Sequence, residues 1–208
     1  MIIDDGRHDQ TIEIAKKHKV EHIIVHVGNK GLGNANKILN RLLWMASEQF
    51  ELKLSQFDGG NLRNAIAREA YAVICLPEDQ TKGIKTFVEG YFRTVKDEYK
   101  ITDSGLKIQI EKSEMASFVF DENTQRNLLN SLYACPHGVL AYSAEIPDFV
   151  ETSTNLAAVK TLDEHIKITT SQRSSVESAK DDAANMVRAT FELTGAKIYH
   201  TGGYPGWA

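Results

Sequence analysis

The sequence predicts an α+β fold, with antiparallel sheets and helices packed on one face. Three observations carry this. Short stretches rich in β-branched or alternating apolar residues recur along the chain. Between them lie longer stretches with apolar residues on one helical face. Several strand-like stretches are joined by tight glycine turns, which suit antiparallel neighbours. The order strand, helix, strand, strand, helix, strand, the ferredoxin-like βαββαβ pattern, occurs about twice.

The elements follow in order. Thr11 to Lys19 has the pattern of a short helix, with Ile12 and Ala15 apolar. Val20 to Val27 is a strand, since Ile23, Ile24, Val25 and Val27 are nearly all β-branched. Gly28-Asn-Lys-Gly-Leu-Gly is a turn. Asn34 to Gln49 is a helix whose buried side holds Ile38, Leu39, Leu42, Leu43 and Ala46. Leu52, Leu54 and Phe57 make a strand, ended by the turn Asp58-Gly-Gly-Asn. Leu62 to Leu76 is extended and stops at Pro77. Glu78 to Tyr99 is a helix with Ile84, Phe87, Val88, Tyr91, Phe92 and Val95 on one face.

Leu106 to Ile110 alternates as a strand, and Phe118 and Phe120 alternate again. Glu122 to Ala134 is a helix carrying Leu128, Leu129 and Leu132. Gly138 to Tyr142 and Thr152 to Val159 are strands. Ile166 to Thr170 is another, and a helix follows it. Ser174 and Glu177 have capping-box spacing. Val176, Ala179, Ala183, Val187 and Thr190 share a face, and Gly195 is placed to end the helix. Lys197 to His200 makes a last short strand. Residues 1–22 are unassigned. The rest, 23–208, divides into halves of about 23–102 and 103–208.

Composition excludes several classes. The chain has 208 residues, 42% hydrophobic and 25% charged, with a net charge of −4. That is ordinary for a soluble globular protein and gives no basic footprint for nucleic acid. No apolar run approaches the roughly 20 residues of a membrane span, and the acidic N-terminal stretch is no secretory signal. Cys75 and Cys135 have no metal or disulfide spacing, which fits a cytoplasmic protein. Cys75 sits in an apolar run as a small core residue.

Some residues point to chemistry. Gly31-Leu-Gly-Asn-Ala-Asn follows a strand and opens a helix, as phosphate loops do. It lacks the third glycine and the P-loop Lys-Ser/Thr pair. A tight turn capped by Asn34 explains it more simply. His18, His22 and His26 are spaced by four, a metal-ligand spacing on a helix. No His-Glu-x-x-His and no carboxylate cluster accompanies them. Asn64 lies in a mixed polar and apolar stretch, with an amide that can donate and accept, or can serve a turn. Arg173 stands between a strand and a helix, placed for a bidentate bond to a carboxylate or for an ordinary surface ion pair.

Five motifs then stand in order: Gly31-Leu-Gly-Asn-Ala-Asn-Lys, Asn61-Leu-Arg-Asn-Ala-Ile-Ala-Arg-Glu, Val150-Glu-Thr-Ser-Thr-Asn-Leu, Ser171-Gln-Arg-Ser-Ser and Gly203-Tyr-Pro-Gly-Trp. Together they resemble the aminoacylhistidine dipeptidases, also called Xaa-His or cytosolic non-specific dipeptidases, among the carnosinase-like zinc metallopeptidases. The resemblance covers only the lid, or dimerisation, domain inserted in that family's catalytic domain.

It implies a homodimer, and two zinc ions with their ligands and a Glu general base in the catalytic domain. None of those catalytic motifs is present here, so this chain itself is expected to hold no metal and not to hydrolyse dipeptides alone. Asn64 and Arg173 match the lid positions that hold the dipeptide's C-terminal carboxylate. In the family a Gly-Gly-His-Ser-Gly motif supplies a His that polarises the scissile carbonyl. The matching region here reads His26-Val-Gly-Asn-Lys with a shorter spacer, and His26 is the candidate for that place. The alternatives are a stand-alone self-associating module and a small metalloenzyme using His18, His22 and His26.

Overall fold

The computed structural model describes residues 2–4, 20–31, 33–114 and 116–202. The expected helix at Thr11 to Lys19, His18 and the Gly203-Tyr-Pro-Gly-Trp motif lie outside the described residues. The strands are β1 (Ile2–Asp4), β2 (Val20–Gly28), β3 (Lys53–Gly59), β4 (Glu69–Pro77), β5 (Lys107–Lys112), β6 (Gly138–Tyr142), β7 (Val150–Thr161) and β8 (His165–Ser174). The helices are α1 (Ala35–Ser47), α2 (Thr81–Glu98), α3 (Glu122–Ala134) and α4 (Glu177–Glu192).

All eight strands join one antiparallel sheet of order β1-β8-β7-β3-β4-β2-β5, with β6 on β7. The run β2-α1-β3-β4-α2-β5 has the ferredoxin-like strand order β3-β4-β2-β5. The later elements instead run α3-β6-β7-β8-α4, with three consecutive strands paired as a meander. The later half thus has two helices but three strands, and the βαββαβ pattern occurs once. Short connections at 143–149 and 162–164 leave no room for a crossover helix, so these neighbours pair directly.

One face of the sheet meets the helices. Ile23, Val25 and Val27 of β2 are buried with Ala70, Ala72 and Ile74 of β4 and with Ile166 and Ile168 of β8. They pack in one core with Leu39, Leu42 and Leu43 of α1, Val88 and Val95 of α2, Leu128 and Leu132 of α3 and Phe191 of α4. Leu54 and Phe57, three residues apart, both face this core. Strict alternation forbids that, but the register of β3 against β4 shifts between Leu54 and Gln56, and such a bulge re-phases the strand.

Several expected elements differ. Residues 61–68 form a loop, and extension starts only at Glu69. Glu78–Gln80 is a 3-10 turn ahead of α2. Phe118 and Phe120 belong to no strand, although Phe120 N–H donates to the Leu54 carbonyl at 2.7 Å. Around Lys197 there is a single bridge in place of a strand. The capping box does not form: Ser174 ends β8, where its hydroxyl pairs with Thr152 Oγ1 at 2.9 Å, and α4 begins after Val176 without a side-chain cap. Gly195 has φ +75° and its N–H reaches the Glu192 carbonyl at 3.0 Å, closing α4 as a left-handed glycine does.

Candidate functional site

Most of the motifs singled out in the sequence meet at one end of the sheet. β3 finishes in Gly59-Gly60, and the loop 61–68 then folds back to β4. Neither glycine tolerates a side chain. A Cβ on Gly59 would collide with Asn36 Oδ1 and Ala70, and one on Gly60 with the Ala157 carbonyl. Gly60 also has φ +66°, which side chains avoid.

The loop is clamped from three sides. Asn155 Nδ2 on β7 donates to the Ala65 carbonyl at 2.8 Å. The first N–H of α1, on Ala35, donates to the Ala67 carbonyl at 2.9 Å, and Asn29 N–H to that of Arg68 at 2.8 Å. Asn34 caps α1 through the Lys37 N–H at 3.2 Å, while its own amide reaches the Leu156 carbonyl at 2.9 Å. Asn29 and Ala35, the loop at 61–68 and β7 are thus stitched together by backbone bonds and by the side-chain amides of Asn34 and Asn155.

Asn64 sits in the turn of this loop, exposed, and the Ala65 N–H closes on the Leu62 carbonyl at 3.2 Å. Arg173 lies near the end of β8, exposed, opposite Ser153 of β7. Asn155 faces Ser171 two residues away in the same ladder. Residues two apart on a strand share a face and stand about 7 Å apart. Arg173 is therefore on the same sheet face as the amide that holds the Asn64 loop, within reach of a long side chain. Among the described residues no salt bridge joins a carboxylate to Arg63, Arg68 or Arg173.

His26 is not brought to this place. It is half-buried on β2, in register between Tyr71 of β4 and Gln109 of β5. Four strand spacings separate β2 from β8, about 19 Å along the sheet. His22 and His26 share a strand, where four residues span about 13 Å, too far for one ion. His22 Nδ1 already accepts the Ala116 N–H at 3.1 Å and lies 3.1 Å from Cys75 Sγ. Burial lowers its pKa, opposed by Glu21. Among the described residues no group of three His, Cys, Asp or Glu could hold a metal ion. Burial likewise pushes the Cys75 thiol up to about 12, so it packs as the small core residue expected.

Beside the glycines, the Lys30 N–H is already taken. Asp103, buried, accepts the Lys30 N–H at 3.2 Å, and a Cβ on Gly31 would strike the Thr102 carbonyl. The loop's donor meets the chain's own carboxylate.

Residues 16–101 match the family model described as a peptidase dimerisation domain. That stretch, under half of the chain, carries the likeness to a peptidase dimerisation domain. Over 183 residues, 88% of its length, the chain is 35% identical to the cytosol non-specific dipeptidase of Escherichia coli (strain K12), and it spans 37% of that protein. Its structure resembles that of aminoacylhistidine dipeptidase from Vibrio alginolyticus, with a TM-score of 0.88 and 28% identity over 99% of this chain and 42% of the other. The chain spans well under half the length of these relatives. No helix among the described residues is long and apolar enough to cross a membrane.

Two further groups were not legible in the sequence. Lys37 Nζ donates to the Leu132, Tyr133 and Cys135 carbonyls at 2.7 to 2.9 Å, capping the C-terminus of α3 where the helix dipole is negative. His137 Nδ1 accepts the Leu156 N–H at 3.2 Å. Burial, and then the Lys37 ammonium, lower its pKa from 6.5 to about 4. Its folded pKa lies below the unfolded one, so the unfolded chain takes up the proton first. Stability is full above pH 6.5 and declines as pH falls toward 4. Urea midpoints measured across this window are expected to drop with pH in the wild type. In His137→Asn the drop should be smaller; an equal drop would exclude His137 as its source.

Proposed function

We propose that this domain is the lid of a complete dipeptidase, where it grips the C-terminal carboxylate of a dipeptide with Arg173 and Asn64 and pairs with a second copy. The observation that carries this is the Asn155–Ala65 hydrogen bond, which ties the Asn64 loop to the ladder presenting Arg173. The guanidinium offers two parallel donors to a carboxylate. The Asn64 amide can donate to the same carboxylate or accept from an amide N–H. A lid that closes on such a grip orients the peptide and excludes bulk water. His26 stands outside the grip.

The remainder of a complete dipeptidase supplies two zinc ions, which activate water and stabilise the oxyanion. The described residues of this chain do not fit them, because no group of three His, Cys, Asp or Glu is gathered among them, His22 and His26 stand far apart along one strand, and His22 Nδ1 is occupied. The chain is therefore expected to bind no stoichiometric zinc after purification with the metal present, and to release no amino acid from a dipeptide. One or two tightly held zinc ions per chain, lost on His22→Ala, would move the small-metalloenzyme reading to first place. Cytoplasmic placement follows from the same family reading.

A further inference from the structure

The bulge in β3 leaves Ser55 as the extra residue of its strand, where the register against β4 shifts between Leu54 and Gln56. Ser55 is only 4% exposed, and it lines a cavity of about 370 Å³. Gln56 and Val73, partners in the β3–β4 ladder, line it as well. One wall is made by Ser113, Glu114, Ala116, Ser117 and Phe118. This stretch is tied across the sheet, with the Ser113 N–H on the His22 carbonyl at 2.8 Å and the Ala116 N–H on His22 Nδ1 at 3.1 Å. The other wall is the β7–β8 turn at Thr161, Leu162 and Asp163. Thr161 stands six residues along β7 from Asn155, about 20 Å, so the cavity is separate from the place of Asn64 and Arg173.

Its chemistry is one-sided. No Lys, Arg or His lines it, while Glu114 and Asp163 do. Neither carboxylate is in a salt bridge among the described residues. The donors beside them are spent within the chain. Thr161 Oγ1 donates to the Phe57 carbonyl at 3.0 Å, and Gln56 Nε2 donates to Asp58 and to Tyr71. The Ser55 hydroxyl and Gln56 Oε1 make no hydrogen bond among the described residues. A hydroxyl so deeply set and without a protein partner calls for one from outside. Acceptors are therefore in excess, and an anion would meet two like charges. Phe118 adds an aromatic wall, which attracts cations.

We propose that this cavity is a binding site for an organic ammonium ion, a primary amine on a short carbon chain. The ammonium donates to the Glu114 and Asp163 carboxylates and to Ser55 Oγ, and its methylenes lie against Val73 and Phe118. The site goes beyond the lid reading and does not depend on it.

Calorimetric titration of the purified chain with putrescine at low salt tests this. Saturable binding of one diamine per chain is expected. The uncharged analogue 1,4-butanediol should bind at least about tenfold more weakly, since hydrogen bonds to charged groups are the stronger ones. Nα-acetyl-lysine amide, titrated alongside, tells a lysine side chain from a free amine as the better occupant. Glu114→Gln and Ser55→Ala should each weaken binding by about fivefold or more, the worth of one such bond. Glu89→Gln, which removes the same charge from α2, leaves it unchanged. Circular dichroism checks that each variant is folded. Three results overturn the proposal: no saturable binding at millimolar diamine, butanediol bound as tightly, or folded Glu114→Gln and Ser55→Ala variants that bind no worse than Glu89→Gln. None of these bears on the carboxylate grip, which the kinetics of Arg173 variants read separately.

Discussion

Replacing Arg173 by alanine in a complete dipeptidase built on this domain raises KM for dipeptides by roughly 10- to 100-fold, the worth of about 1.5–3 kcal/mol in charge-assisted hydrogen bonds. If the grip tightens as the peptide carbonyl is attacked, kcat falls as well. Arg173→Lys keeps the charge and loses the fork, so it recovers only part of the affinity. The effect is on substrate and not on the fold. Arg173 is exposed and unpaired among the described residues, and surface changes of this kind stay within about 0.5 kcal/mol. Steady-state kinetics with dipeptides and with their C-terminal amides decide it. The variant should discriminate less between acid and amide than the wild type. Equal discrimination would remove Arg173 from the site.

Gly60→Ala is expected to cost this domain roughly 2–5 kcal/mol, combining left-handed strain with overpacking. The φ of +66° disfavours any side chain, and the new methyl would overlap the Ala157 carbonyl. Neither strain relaxes cheaply, because Gly60 N–H is bonded to the Glu69 carbonyl at 3.1 Å and β7 is paired on both sides. Denaturant unfolding reads the loss directly. A change under about 1 kcal/mol, the ordinary value for a point substitution, would show that β3 and β7 do not meet as described. In the complete enzyme the same variant should raise KM, since the Asn64 loop leaves β3 at this glycine.

Much of the fold was legible because local patterns and tertiary burial agree. The β-branched run at Val20 to Val27 has its buried set at Ile23, Val25 and Val27, and every apolar residue named for α1 lies in the core. The misreadings have local causes. Ser174 and Glu177 have the spacing of a cap, yet the hydroxyl is claimed by Thr152 across the β7–β8 ladder. Phe191 of α4 is fully buried, where the apolar pattern of the sequence points to Thr190. The role of Asn155 in holding the loop was invisible, since an amide in a strand announces no partner.

The sequence by itself determined most of the helices and strands, the antiparallel pairing and the family resemblance, because turn glycines, periodicity and motif order are properties of neighbouring residues. It also supplied Asn64 and Arg173 as candidates, by residue type and motif. Only the tertiary structure ties the Asn64 loop to the ladder that carries Arg173 and places His26 four strands away from it. Strand order and register set which residues more than 100 positions apart share a face, and those are fixed by contacts between distant segments: the Gly59–Val159 pairing and the Ser153–Arg173 ladder.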